Sequence, residues 1–316
     1  MKCSVCGSDQ VVYAPSPKLR LCRDHFNEYF HRRFKKMIEK YKVLRDCRKV
    51  MVAVSGGKDS VVLLNVLARF SEEYGLELIG LTIDLGIKDY SSKCVEIAVK
   101  NYDKLSIDYR VIKLNDEYEV SIDSIAKIPR RVMRRPLCSI CGIIKRYVLN
   151  KVALELEVDA IATGHNLDDM IKFMITNMYN GRIIDLIKLV PKIPSRGKLV
   201  TKIRPLAFFT NEETLIYALA NNLDFNQDKC PYMPPEKSFQ NTIQKAIDLI
   251  EKEYPGFKLH FYNAFISKIQ PLLATKYEES PLYECIKCGM PTSSKDVCAF
   301  CRIRERAIQW IKRRGS

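Results

Sequence analysis

No stretch of the chain approaches the roughly eighteen consecutive apolar residues of a membrane-spanning helix, and neither repeats nor low-complexity tracts interrupt it. The start, Met1-Lys2-Cys3-Ser4-Val5-Cys6, has no apolar core of a secretion signal. These absences argue against a membrane partner and lead to the expectation of a cytoplasmic protein. Acidic residues are few beside basic ones: 37 against 52, a formal charge of +15. Such a surplus favours a polyanionic partner, because each Lys or Arg set against a phosphate releases condensed counterions. It also serves solubility, so charge alone does not decide. With 47% hydrophobic residues among 316, the chain can bury the core of one large domain plus small attachments. In a reducing compartment, twelve cysteines point to metal ligands or catalysis more than to disulfides.

Five segments are expected. Residues 1–30 are short, Cys-rich and turn-rich, and read as an N-terminal zinc finger. Residues 31–48 are a basic linker helix, whose amphipathic pattern already starts upstream: Phe26, Phe30, Phe34, Met37, Tyr41 and Leu44 form a stripe, with Arg32, Arg33, Lys35, Lys36, Lys40 and Arg45 on the other face. Residues 49–205 alternate strands (Lys49 to Val54, Leu78 to Asp84, Tyr109 to Leu114, Val158 to Thr163) with helices, including Ser60 to Tyr74. That order implies βαβ units, an α/β fold and a parallel sheet with helices on both faces. Residues 206–280 form a helical extension with helices at Asn211 to Asn221 and Ser238 to Tyr254. Residues 281–316 are a second Cys-rich segment with a basic tail, Lys312-Arg313-Arg314.

Between the first strand and its helix runs Ser55-Gly56-Gly57-Lys58-Asp59-Ser60. Two glycines let the backbone turn its N–H groups toward an anion, the helix N-terminus adds a positive dipole, and Lys58 and two hydroxyls supply donors. The long Walker spacer is missing, and the segment resembles the PP-loop of ATP pyrophosphatases. A second segment, Gly164-His165-Asn166-Leu167-Asp168-Asp169, follows the fourth strand at the same end of the sheet. A His–Asp pair there is either a hydrogen-bonded loop or part of a site, and the shared edge favours the site.

The cysteines sort by spacing. Cys285-x-x-Cys288 and Cys298-x-x-Cys301 match a tetrahedral zinc ribbon, and so small a segment would hardly fold without a metal. Cys3, Cys6, Cys22 and His25 offer a second four-ligand set. Cys138 and Cys141 stand alone in the middle of the chain. They read as a redox pair, as a structural pair or, with Cys230, as three thiolates of a 4Fe–4S cluster. Cys47 and Cys94 are expected to be buried small hydrophobes.

From the first cysteine knuckle to the last, these motifs resemble the TtuA-type tRNA 2-thiouridine synthetases and their archaeal and eukaryotic relatives. The resemblance implies a PP-loop ATP pyrophosphatase fold (adenine nucleotide alpha hydrolase-like) flanked by two zinc fingers. It implies that Cys138, Cys141 and Cys230 hold a 4Fe–4S cluster, with Lys145 and Asp169 catalytic. It implies that Ser55, Gly56, Gly57, Lys58, Asp59, Ser60, Asp84, Gly164 and His165 bind ATP, with Mg. The partners implied are tRNA and a sulfur donor, sulfide or a thiocarboxylated carrier protein; homodimer formation stays open. Two positions depart from the family pattern: Leu85 and Met170 stand where a Glu is frequent, removing a carboxylate from the neighbourhood of the expected site. Rival readings are a cluster-free enzyme using a Cys persulfide, another PP-loop tRNA-modifying enzyme, and an inactive zinc-finger RNA-binding protein.

Overall fold

Val50, Met51 and Val52 form an apolar run without polar alternation, as in a strand covered on both faces, and none of the three exposes any surface. The computed structural model, which describes residues 2–16, 19–233, 235 and 237–315, places them in β1 (Lys49–Ala53). β1 is an inner strand of a six-stranded sheet with β2 (Glu77–Asp84), β3 (Asp108–Lys113), β4 (Ala160–Thr163), β5 (Lys192–Ile193) and β6 (Thr201–Ile203). The spatial order is β3-β2-β1-β4-β6-β5. Every pairing is parallel except that of β5 with β6 at the edge. The chain builds outward from β1 to β3, then crosses back and builds the other way. The loops after β1 and β4 therefore open side by side, at the switch point where open α/β sheets take ligands.

Side chains alternate across the sheet and divide the core in two. Val50, Val52, Ala160, Ala162 and Ile203 face α1 (Arg23–Lys40), α2 (Lys58–Tyr74), α5 (Leu167–Tyr179) and α6 (Asn211–Ala220). Met51, Leu81, Ile112 and Ile161 face α4 (Leu137–Glu155), which buries Ile140, Ile144, Val148 and Val152. Between these helices in sequence lies α3 (Ser91–Lys104), and after them come α7 (Phe239–Glu253), α8 (Phe257–Ala264) and α9 (Ala299–Gly315). No helix among the described residues is long and apolar enough to cross a membrane.

Several element boundaries differ from expectation. The basic helix begins at Arg23, directly after Cys22, and ends at Lys40. Tyr41 and Leu44 therefore lie past its end, where Lys42 and Asp46 take positive φ of 49° and 61° and turn the chain toward β1. Its polar face is not wholly solvated either, because Arg33 pairs with the buried Glu213 and donates to the Phe208 carbonyl. β5 and β6 escaped the sequence pattern: they are two and three residues long and carry Lys192 and Lys202.

The terminal segments cover opposite faces. The hairpin Val11–Ser16 with Leu19–Cys22 packs on α1. At the other end α9 packs on α4, with Tyr147 and Phe300 stacked at 3.7 Å and 5°. The side chain of Arg314, in the basic tail, lies outside the described residues.

Candidate functional site

The loop after β1 is built around close approach. Gly56 has a φ of +77°, and a Cβ there would come within 2.6 Å of the Cys94 carbonyl oxygen. Any side chain would both strain the backbone and displace α3. The Ser55 N–H donates to Ser60 Oγ at 3.1 Å, and Ser60 Oγ–H donates to the Gly57 carbonyl at 2.8 Å. Lys58 Nζ donates to Asp59 Oδ1 at 2.7 Å and to Thr214 Oγ1 at 2.9 Å. Thr214 in turn donates to Asp59 Oδ1 at 2.7 Å. These bonds hold Lys58 and Asp59 at the N-terminus of α2, where helix dipole and backbone N–H groups favour an anion.

The loop after β4 rests directly on this one. A Cβ on Gly164 would meet the Asp59 carbonyl carbon and the Ser60 nitrogen at 2.9 Å. Asn166 Nδ2 donates to Asp59 Oδ1 at 3.1 Å, tying the loops together. Asn166 and Asp169 form a reciprocal capping box at the start of α5, and Asp169 also pairs with Lys172 at 3.2 Å. His165 Nδ1 lies 2.9 Å from Thr163 Oγ1. Burial lowers its pKa, as do Arg204 and Arg146 nearby, which keeps the imidazole neutral near pH 7. Asp84, at the end of β2, accepts from the Gly86 N–H at 2.8 Å.

On α4, Cys138, Cys141 and Lys145 are spaced i, i+3 and i+7, on one helix face. Cys230 reaches the same place from the far end of the chain. Burial pushes the Cys141 thiol up, while Lys145 counters it and Cys230 and Cys138 add to the rise. Cys138 Sγ lies 3.3 Å from the Tyr232 carbonyl. These three sulfurs are not among the groups whose ligand atoms crowd within 4.8 Å of one another. Cys94 is close by: its sulfur accepts from Asn226 Nδ2 at 3.2 Å and lies against Tyr90, which also feels Cys230. Cys47 is buried and near the Arg45 carbonyl, before β1 at the amino end of the sheet.

The two terminal sets do crowd. Cys3, Cys6, Cys22 and His25 form one group within 4.8 Å, and Cys285, Cys288, Cys298 and Cys301 form the other. In the first, backbone N–H groups of Cys6 and Cys22 hold Cys3 down to about 6. In the second, burial acts to raise Cys285, but the N–H groups of Cys298, Lys287 and Cys288 bring it down to about 6. Burial raises Cys298 and Cys301. Four sulfurs this close cannot all be thiolates without a cation between them.

The PP-loop domain family matches residues 26–235, and the N-terminal LIM domain of the 2-thiouridine synthetase TtuA matches residues 2–27. The chain belongs to the TtuA-type PP-loop family. The tRNA-5-methyluridine(54) 2-sulfurtransferase of Pyrococcus horikoshii is 36% identical, over 96% of this chain and 93% of its own. The Thermus thermophilus protein of the same name is 35% identical, with 99% and 94% covered. Among solved structures, the U34-tRNA thiolase NcsA from Methanococcus maripaludis, with its [4Fe-4S] cluster, aligns at a TM-score of 0.76 and 26% identity over 98% and 96% of the two chains.

Within this family fold, Leu85 directly follows Asp84 and Met170 directly follows Asp169. Both are buried, Met170 completely, in the two apolar cores. Apolar residues suit these positions, where a carboxylate would need a partner. Asp168 is likewise turned away, into an ion pair with Lys258. Sequence reasoning missed Thr214, which binds Lys58, and gave Asn166 of the second segment no role of its own, although it binds Asp59. Asn166 was readable as a helix cap three residues before Asp169, but nothing local marked Thr214.

Proposed function

We propose that this chain catalyses ATP-dependent 2-thiolation of a uridine in tRNA, as a cytoplasmic enzyme. The observation that supports it most is the meeting of a PP-loop with three cysteines from two distant segments at one end of one sheet. The two relatives named for 5-methyluridine(54) are more similar in sequence than the U34 thiolase, and position 54 is the favoured target.

Ser55, Gly56, Gly57, Lys58, Asp59 and Ser60 hold the ATP phosphates, Mg included, with Asp84, Gly164 and His165 flanking the nucleotide. The uridine 2-oxygen attacks the α-phosphorus and pyrophosphate leaves, which turns that oxygen into a good leaving group. A hydrosulfide then adds at C2, and AMP departs with the former carbonyl oxygen. Lys145 stabilises charge on the phosphate and the developing oxyanion. Asp169 orients the base or takes the hydrosulfide proton. Cys138, Cys141 and Cys230 are the residues to hold a 4Fe–4S cluster, and three thiolates suit the cube. When bound, such a group supplies one iron without a protein ligand, a coordination position for sulfide. The terminal sets hold zinc, since four N/S ligands in one small shell fit a closed tetrahedral ion.

The test is an anaerobic assay with reconstituted protein, ATP, sulfide and unmodified tRNA, followed by nucleoside analysis. Thiolated uridine formed together with AMP and pyrophosphate is expected. ADP and phosphate as products, or no thiolated nucleoside under conditions that preserve the iron, would sink the proposal.

A further inference from the structure

β6 carries one cation on the side opposite Ile203, and a second stands at its end. Lys202 is half-buried on that strand and Arg204 follows it directly. From α4, Arg146 reaches back along its own helix, so that a Cβ on Gly142 would meet its Nη1 at 3.3 Å. The three lie within electrostatic reach of one another and of Lys188, and His165 feels both arginines.

Their countercharges do not match. Arg204 Nη1 donates to the carbonyls of Lys188 and Val190 at 2.9 and 2.6 Å. Lys188 pairs with Glu279 at 2.9 Å. The side chains of Arg146 and Lys202 have no hydrogen bond or ion pair among the described residues. The exposed Asp185 and Cys141 act on Arg146 only from a distance. Burial and the three cationic neighbours bring Lys202 down to about 8, so an anion placed there would be bound more strongly than in open water.

The location selects the anion. Adjacent strands stand about 4.8 Å apart, so β6, two strands from β1, is roughly 10 Å from the strand that carries the phosphate loop. Lys58 and its loop serve the nucleotide, and Arg146 stands on α4 one turn and more past Cys141, within electrostatic reach of that thiol and of Lys202. Up to that end runs an exposed basic segment, Arg130, Arg131, Arg134 and Arg135, with no ion pair among the described residues. A polyanion following this segment past Cys138 would arrive at Arg146 and Lys202.

We propose that Arg146 and Lys202 form a subsite for a backbone phosphodiester next to the reacting uridine, with Lys202 as a residue that positions the RNA. This rests on the tRNA-thiolation reading and adds a phosphate contact to it. The decisive variant is Lys202→Met, with Lys202→Arg to restore charge, because Arg146 stands too close to Cys141 for a clean substitution. In reconstituted full-length protein, tRNA affinity is measured across salt concentrations, beside ATP affinity, iron content, thermal midpoint, and KM and kcat for tRNA. Lys202→Met should weaken tRNA binding several-fold at low salt and reduce the slope of log affinity against log salt by about 1. It should raise KM for tRNA more than it lowers kcat, and Lys202→Arg should recover both. An unchanged slope and affinity in a folded Lys202→Met protein would overturn the subsite. A loss of ATP affinity in place of tRNA affinity would also overturn it, assigning the cations to the nucleotide or pyrophosphate. Wild-type protein that binds tRNA but thiolates nothing would defeat the functional reading while leaving the salt slope to judge the subsite.

Discussion

Asp168 and Lys258 form an ion pair at 2.5 Å with only 3% and 8% of their side chains exposed. Asp168 also accepts from the Asn211 N–H and from Gln244, and Lys258 also binds Asp248. One carboxylate thus joins α5, α6, α7 and α8. Burial by itself would raise the pKa of Asp168, but Lys258, the Asn211 N–H and Gln244 outweigh it and hold the group below its ordinary value. Removing one partner strands a buried charge, so Asp168→Ala should cost about 3–5 kcal/mol in urea unfolding. Asp168→Ala with Lys258→Met should recover much of that. The folded pKa is depressed, so this stability is present above the unfolded value of about 3.9 and is lost as pH falls through the folded one. The wild type should therefore lose more stability in acid than the double variant does. Equal acid sensitivity would refute the assignment.

Lys58 is predicted to act on phosphate, and the bonds from Asp59 and Thr214 place it before any nucleotide arrives. Lys58→Ala should slow release of pyrophosphate from labelled ATP by about two to three orders of magnitude, the usual loss for a single donor to developing charge. The fold should survive, since the lysine is not a core residue. Activity within a factor of a few of wild type would remove Lys58 from the reaction.

Gly164→Ala tests the contact between the two loops. A methyl group there meets backbone at 2.9 Å, which no side-chain rotation relieves. The loop after β4 must retreat, taking Asn166 from Asp59. Weaker ATP binding with a modest drop in thermal midpoint is expected. Calorimetry showing native ATP affinity would mean that the contact does not shape the nucleotide site.

The terminal sets should retain two zinc ions per chain after iron is lost, because their sulfurs are packed for single ions. A strong chelator should expose both ends to protease while β1 to β4 keep their protection from hydrogen exchange. Ends that stay protease-resistant without metal would contradict the zinc assignment.

Much of this was legible locally. The apolar run at Val50 to Val52 and the Ser-Gly-Gly-Lys-Asp-Ser turn each depend on residues a few positions apart, and both stand where expected. Cysteine spacing likewise anticipated the two compact four-ligand groups. What stayed hidden is set by tertiary contact. β6 is a three-residue strand whose Lys202 reads as surface until the fold half-buries it among Arg146, Arg204 and Lys188. That Met170 is fully buried depends on the helix phase of α5 against the core, which its place beside the Asp168–Asp169 pair did not reveal. The second Asp of the pair caps a helix while the first locks four helices together, a division that adjacent identical residues could not reveal.

Cys94 gives the sharpest discrimination for the central cysteines. It is the remaining thiol at this end of the sheet: Tyr90 lies against it and also feels Cys230, and its backbone lies under Gly56. A fourth thiolate would close a four-iron cube and leave no iron open, whereas Cys94 is buried and its sulfur already accepts a hydrogen bond from Asn226. Single Cys→Ala variants at 138, 141, 230 and 94 should be reconstituted anaerobically and assayed for iron, absorption spectrum and tRNA thiolation. Loss of iron and activity is expected for the first three. Cys94→Ala should keep its iron and spectrum, with at most a small fall in ATP affinity from loosened packing under the phosphate loop. If Cys94→Ala also loses the cluster, four thiolates bind it and sulfide has no open iron. Full thiolation by protein freed of iron would transfer the chemistry to a cysteine persulfide instead.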